Sequence, residues 1–165
     1  MKSFYRTLLL AGGAALLAAG CAASGPQYKD VASSIPTLAP DNGRIYFLRT
    51  DSFVGAMLQP EIKLNDKVVG HSKPGGFFYV DEPAGSYTVA TTTEVTKSIT
   101  FNLNAGETKY VRTAVSMGVL VGHIAPSLDY PENAQAEIQS LKYTGEAAPA
   151  QAVGVQTSAA TPNKM

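Results

Sequence analysis

Between Pro60 and Thr93 the chain reads PEIKLNDKVVGHSKPGGFFYVDEPAGSYTVATTT, a series of short apolar runs broken by turn-forming residues. Ile62 and Leu64 alternate with polar neighbours, Asn65-Asp66 offers a tight turn, and Val68-Val69 begins a return strand. Pro74-Gly75-Gly76 interrupts the chain before Phe77–Val80, and Glu82-Pro83-Ala84-Gly85 turns it into Tyr87–Thr93. Four short strands punctuated in this way make an antiparallel β module.

The flanking sequence extends the pattern. In Arg44–Thr50 the residues Ile45 and Phe47 fall on one face, Tyr46 and Leu48 on the other. Apolar residues on both faces predict a central strand covered on both sides, or one shielded outside by a loop. Asp51–Gln59 follows neither period and reads as a bulged strand or a packed crossing loop. Thr96–Leu103 and Lys109–Met117 alternate and are separated by Asn104-Ala105-Gly106-Glu107, which predicts a hairpin with Val111, Thr113, Val115 and Met117 inward. Gly118–Ile124 reads as a short buried strand before Pro126. Asp129-Tyr130-Pro131-Glu132 then carries helix-start signals, and Ala134, Ile138 and Leu141 share one face of a short helix suited to plug an open end of a sandwich. Lys142-Tyr143 is a candidate terminal strand. The expected fold is all-β: an Ig-like or prealbumin-like antiparallel sandwich of about seven or eight strands with one short C-terminal helix.

The N-terminus carries a different signal. Lys2 and Arg6 precede an apolar run, Leu8–Ala19, and small residues lead into Cys21. A run this short falls below the roughly 20 residues that span a bilayer, so residues 1–20 are expected to be a processed segment outside the fold. The sequence Leu17-Ala18-Ala19-Gly20-Cys21 resembles a bacterial lipoprotein signal, with Ala18 where Leu, Val or Ile is usual. That resemblance implies a diacylglycerol on the Cys21 thiol. Ala22, rather than Asp, after the cysteine implies outer-membrane sorting in a Gram-negative envelope, with the domain facing the periplasm. Two or more acyl chains hold almost permanently. Loss of Lys2 and Arg6 leaves 13 − 2 = 11 basic against 13 acidic side chains, so attachment would rest on lipid rather than on charge. With one cysteine in the chain, no internal disulfide can form.

Residues 21–42 are rich in Ala, Ser and Pro and read as the lipidated cysteine and a flexible linker, with a reach on the order of 25 Å. Packing of Val31–Leu38 as an edge segment is the alternative. The globular domain is expected over 43–144, and 145–165, poor in apolar periodicity, as a disordered tail.

The segment IKLNDKVVG followed by SKPGGFFYVDEPAGSYTV is similar to prealbumin-like and PEGA-type β modules. GRIYFLR at 43–49, the run from SFVGAMLQPEIKLNDKVVG to KPGGFFYVDEPAGSYTV, AGETKYVRT at 105–113 and EIQSLKY at 137–143 together resemble the small bacterial lipoprotein family labelled domain of unknown function 2846. The resemblance implies a secreted, lipid-anchored β domain and brings no catalytic residues with it.

Little in the sequence points to chemistry. His71 and His123 stand alone, without a nucleophile elbow around either. The adjacent acids Asp81-Glu82 would point to opposite faces of a strand, and Asp51, Glu61, Glu94 and Glu107 are not paired by spacing. The glycine-rich turns lack the Lys and following helix of a phosphate loop. No catalytic site, cofactor or metal site is expected, and the balanced charge gives no reason to expect nucleic acid as a partner. If Phe78 points outward it joins Tyr46 or Tyr110, with Phe53 and Met57, in an interaction patch for an envelope protein; the alternative is that both faces are covered, by the partner sheet and by the Phe53–Leu58 loop. The expected role is a non-catalytic binding or structural accessory acting through that patch or a sheet edge. Alternatives are a carrier or sensor of a small apolar ligand lined by Phe53, Met57, Phe77 and Met117, and an envelope hydrolase using His71 or His123.

Overall fold

A computed structural model of the chain describes residues 22–117 and 122–145. Residues 1–20, expected to be a processed segment, Cys21 and residues 146–165 lie outside the described residues. The described chain forms a β-sandwich of nine strands: β1 Asn42–Arg49, β2 Glu61–Leu64, β3 Lys67–His71, β4 Gly76–Pro83, β5 Gly85–Thr92, β6 Thr96–Leu103, β7 Thr108–Ser116, β8 His123–Leu128 and β9 Lys142–Tyr143. A one-turn helix α1 (Tyr28–Val31) precedes them, and α2 (Pro131–Ile138) lies between β8 and β9. One sheet has the order β8-β7-β1-β4-β9, the other β3-β2-β5-β6. Most pairs are antiparallel, but β1 pairs parallel with β7 and β4 with β9.

The two-residue period explains why β1 is apolar on both faces. Ile45 and Phe47 point between the sheets, against Ile62, Leu64, Phe78, Val89, Phe101, Leu103 and Val111. Tyr46 and Leu48 point outward and are covered by Phe77, Tyr110, Ala134, Ile138 and Leu141. A central strand covered on both sides is what the sequence predicts. Full burial of a side chain such as Phe47 contributes about 1.5–3 kcal/mol, so the two faces of β1 anchor both halves of the core.

Several expectations need correction. The segments Thr96–Leu103 and Lys109–Met117 do not form a hairpin: β6 belongs to one sheet and β7 to the other. The turn between them crosses the sandwich and is held on β1 by Gly106 N–H to Asn42 O and Arg44 N–H to Glu107 O, each 2.9 Å. Alternation alone cannot tell a hairpin from such an arch, because both need a tight turn and a buried face. Val111 and Thr113 do point inward, but Met117 is 90% exposed at the strand end. The strand expected over Gly118–Ile124 lies later, at His123–Leu128, and runs through Pro126; residues 118–121 are outside the described set. Proline is tolerated there because β8 is an edge strand. Helix α2 lies on the outer face of the five-stranded sheet, through Ala134 and Ile138, rather than in an end of the sandwich.

The stretch read as a flexible linker is docked on the domain. Ala23 is buried and its N–H reaches Pro74 O at 3.0 Å, Tyr28 N–H reaches Leu141 O at 3.1 Å, and Tyr143 N–H reaches Pro26 O at 2.8 Å. Tyr28 packs edge-on against Phe77, with ring centroids 5.5 Å apart. Val31 and Ile35 complete the cover of the outer core. Low apolar density hid this, because a few anchoring contacts suffice where the sheet already supplies the partners.

Candidate functional site

The two long sides of the sandwich differ. On one, β8 packs against β5 and β6, and Thr91 Oγ1 donates to Ile124 O at 2.6 Å across the gap. That side is closed. On the other, β3 ends one sheet, while β9 covers β4 only at Gly76 and Phe77. Beyond Phe77 the sheets part into a groove of about 610 Å³ lined by Val68–His71 of β3 and Phe78–Glu82 of β4, with Tyr143 at its end.

The backbone of β4 sets the groove's chemistry. Lys142 N–H bonds Gly75 O at 2.9 Å and Thr144 N–H bonds Phe77 O at 2.8 Å, so the odd-numbered residues of this strand present their peptide groups away from β1. The same period turns the N–H and C=O of Tyr79 and Asp81 to the open flank, where no described strand pairs with them. Phe78 forms the floor. Its ring stacks on Phe47 at 4.8 Å and lies directly under Gly70, where an added Cβ would stand 2.6 Å from Phe78 Cζ. Glycine at 70 thus lets β3 come down onto the ring.

The rim is aromatic and charged. Arg44 makes a two-pronged pair with Asp81 (Nε to Oδ1 2.6 Å, Nη2 to Oδ2 2.7 Å), donates from Nη2 to Pro36 O at 2.8 Å, and lies 4.7 Å from the centre of the Tyr79 ring. The Asp81 hydrogen bonds hold the Arg44 guanidinium above its usual pKa, outweighing burial. Tyr79 and Tyr143, with centroids 6.1 Å apart, are both pushed up by burial, and buried Tyr46 beneath them is pushed up to about 12. These phenols stay neutral at physiological pH, so the rim offers rings and hydroxyls beside one neutralised ion pair.

The sequence-nominated residues fall elsewhere. Phe78, Tyr46 and Tyr110 are 3%, 7% and 8% exposed and belong to the two cores, so they form no surface patch. Phe78 points inward because its neighbours Phe77 and Tyr79 take the outer face. Phe53 and Met57, 97% and 82% exposed, stand on the β1–β2 loop at the end of the sandwich. Phe53, Met57, Phe77 and Met117 therefore do not line a space between the sheets: three are on the surface and Phe77 lies in the outer core. His71 is exposed on edge strand β3, and His123 Nδ1 lies 3.3 Å from Thr93 Oγ1. Glu107 pairs with Lys109 at 2.6 Å, and Asp81 with Arg44. Among the described residues no three His, Cys, Asp or Glu side chains converge as metal ligands would. Arg44, Tyr79, Tyr143 and the β4 flank escaped the sequence reading. A charged residue opening the apolar run RIYFLR is the signal that could have pointed to the first of them.

The family model described as protein of unknown function (DUF2846) matches residues 39–124. An uncharacterized protein of Haemophilus influenzae is 30% identical over 114 residues, 67% of this chain and 67% of the relative. No solved structure matches the chain. The matched region runs from β1 to the start of β8 and so takes in both walls of the groove; the chain belongs to the DUF2846 family.

Proposed function

We propose that this protein is a non-catalytic accessory of the bacterial envelope, lipid-anchored at Cys21 in the outer membrane, that holds a protein partner by accepting an extended segment along β4. The observation that carries the reading is the outward-facing backbone of Tyr79 and Asp81, with which no strand among the described residues pairs, beside an aromatic groove. Strand addition gains affinity from main-chain hydrogen bonds and specificity from pockets for alternate side chains, and β9 already shows the parallel geometry an added strand would continue. The other edges suit this poorly: β8 carries Pro126, β3 is short and bulged against β2, and β6 packs against β8 on the closed side. Among the described residues His71 is exposed and His123 Nδ1 lies against Thr93 Oγ1, which favours a binding role over hydrolysis.

A photoreactive residue at His71, on the groove wall, should capture a discrete envelope protein in living cells, while the same residue at Lys97, on β6, should not. Equal capture from both positions, or none from His71, refutes the edge reading. Mass spectrometry of the mature N-terminal peptide tests the anchor separately.

A further inference from the structure

The end of the sandwich that carries the β1–β2 loop gathers most of the large apolar side chains left exposed. Phe53, Val54 and Met57 stand on that loop, Val95 in the β5–β6 turn and Met117 at the end of β7. The register places all of them at one end: β1 and β7 run parallel and finish there, and β5 turns into β6 there. Among the described residues, five of the eight exposed large hydrophobics therefore share one end of the molecule. Scattered apolar residues need no explanation, but a cluster of this kind does.

The loop is built to hold them out. Arg49, buried at the end of β1, donates from Nη2 to Gly55 O at 2.7 Å and from Nη1 to Leu58 O at 2.5 Å and Ser72 O at 3.0 Å. Ala56 N–H bonds Phe53 O at 3.1 Å and Leu58 N–H bonds Gly55 O at 2.9 Å. Gly55 has φ +72°, and a Cβ there would meet Val115 at 2.6 Å, so the turn is pressed onto β7. The backbone is tied down while Phe53 and Met57 project.

The position of the N-terminus identifies what they meet. Ala22 lines the same depression as Phe53, Met57 and Pro74, and Ala23 is fixed to Pro74 O. Cys21 is one residue further, about 3.8 Å away between Cα atoms. Since 22–35 is docked rather than loose, an acylated Cys21 has no spacer with which to stand the domain off the bilayer.

We propose that this end is a lipid-contact surface: Phe53, Val54 and Met57 enter the headgroup–acyl boundary beside the anchor and fix the orientation of the domain, with the β4 groove on the side. The inference rests on the anchor at Cys21. That end carries Asp51, Glu61 and Glu94 against Arg49, Lys73, Lys97 and Lys142, mixed charge without a polybasic cluster, so contact is by apolar insertion and depends little on salt.

The chain contains no tryptophan, so F53W places a single indole in the loop, where 97% exposure leaves the fold untouched. A105W puts it in the turn at the opposite end, an eight-residue strand or on the order of 24 Å away. The full mature protein is reconstituted into phosphatidylcholine vesicles containing brominated acyl chains. F53W should be quenched and blue-shifted, unchanged by salt, and A105W neither. Unquenched F53W overturns the inference, and so does equal quenching of both. Acyl mass at Cys21 is measured on the same samples. Acylated protein with unquenched F53W sinks the loop and leaves the anchor. Unacylated protein whose F53W is quenched on mixing with vesicles sinks the anchor and leaves the loop. In that unacylated case F53S/M57S should weaken vesicle association by on the order of tenfold or more per side chain.

Discussion

Arg49 is the side chain whose removal should be felt most sharply relative to its apparent role. It is 3% exposed, and among the described residues it has no carboxylate partner; burial alone pulls its pKa down. Its charge is solvated by the carbonyls of Gly55, Leu58 and Ser72. In R49M the stem is retained and the guanidinium lost. Gly55 O keeps the Leu58 N–H, and Ser72 Oγ keeps Thr113 Oγ1 at 2.8 Å, so two acceptors, Leu58 O and Ser72 O, lose a donor. Each buried orphan is worth about 1–3 kcal/mol, and relief from burying a charge returns part of it, leaving a net loss of about 2–4 kcal/mol. For a domain of about 100 residues each kcal/mol lowers Tm by roughly 4–8 °C, so thermal unfolding followed by circular dichroism should show a fall of roughly 8–30 °C. Limited proteolysis should find the first new cleavage within Asp51–Gln59. A Tm within about 1 °C of the parent, with the loop still protected, would refute the view that the guanidinium organises it.

Three further outcomes follow from the packing. Tyr46, buried and pushed up to about 12 from 10.0, favours folding below the unfolded value and loses that contribution as pH rises from 10.0 through about 12. Over that window its share is about 2–3 kcal/mol, so urea midpoints should fall more steeply with pH for the parent than for Y46F; parallel curves would refute it. G70L drives a side chain into the Phe78 ring and should destabilise by about 1–3 kcal/mol in chemical denaturation while abolishing capture from the groove; unchanged stability would show that β3 can lift away. I138A, at a 2% exposed position on the buried face of α2, should lose about 2–4 kcal/mol, and a loss below about 1 kcal/mol would mean that the helix contributes little to the outer core.

The docked N-terminal segment changes how the domain meets its surroundings. A loose tether would let the domain tumble, and no face would be privileged. With Ala23, Pro26 and Tyr28 bonded to Pro74, Tyr143 and Leu141, the residue next to Cys21 is fixed at one end of the sandwich. The groove, on the flank between β3 and β4, then opens sideways. In the orientation proposed above, an extended partner segment running along a membrane surface would reach it without obstruction from the loop end.

Sequence alone was enough for elements whose signal is local. The Asn65-Asp66 turn, where both residues take positive φ, follows from the tolerance of Asn and Asp for that region. The inward set Ile62, Leu64, Val89, Phe101 and Val111 follows from the two-residue period, and the Pro131 helix from its start signals. Double-faced apolarity in Arg44–Thr50 correctly marked a central strand. What the tertiary structure decided was pairing. Whether β6 returns beside β7 or arches across to the other sheet depends on which partner buries Leu103 and Val111 together, a non-local choice that alternation does not encode. The same holds for Phe78: a row of three aromatics must divide between two faces, and only the Gly70 gap above the ring settled that Phe78 lies inside. The β4 flank is invisible in one dimension because it is where no described strand pairs beyond Phe77, and neighbours in a sheet are set by the whole chain's closure rather than by any residue's own propensity.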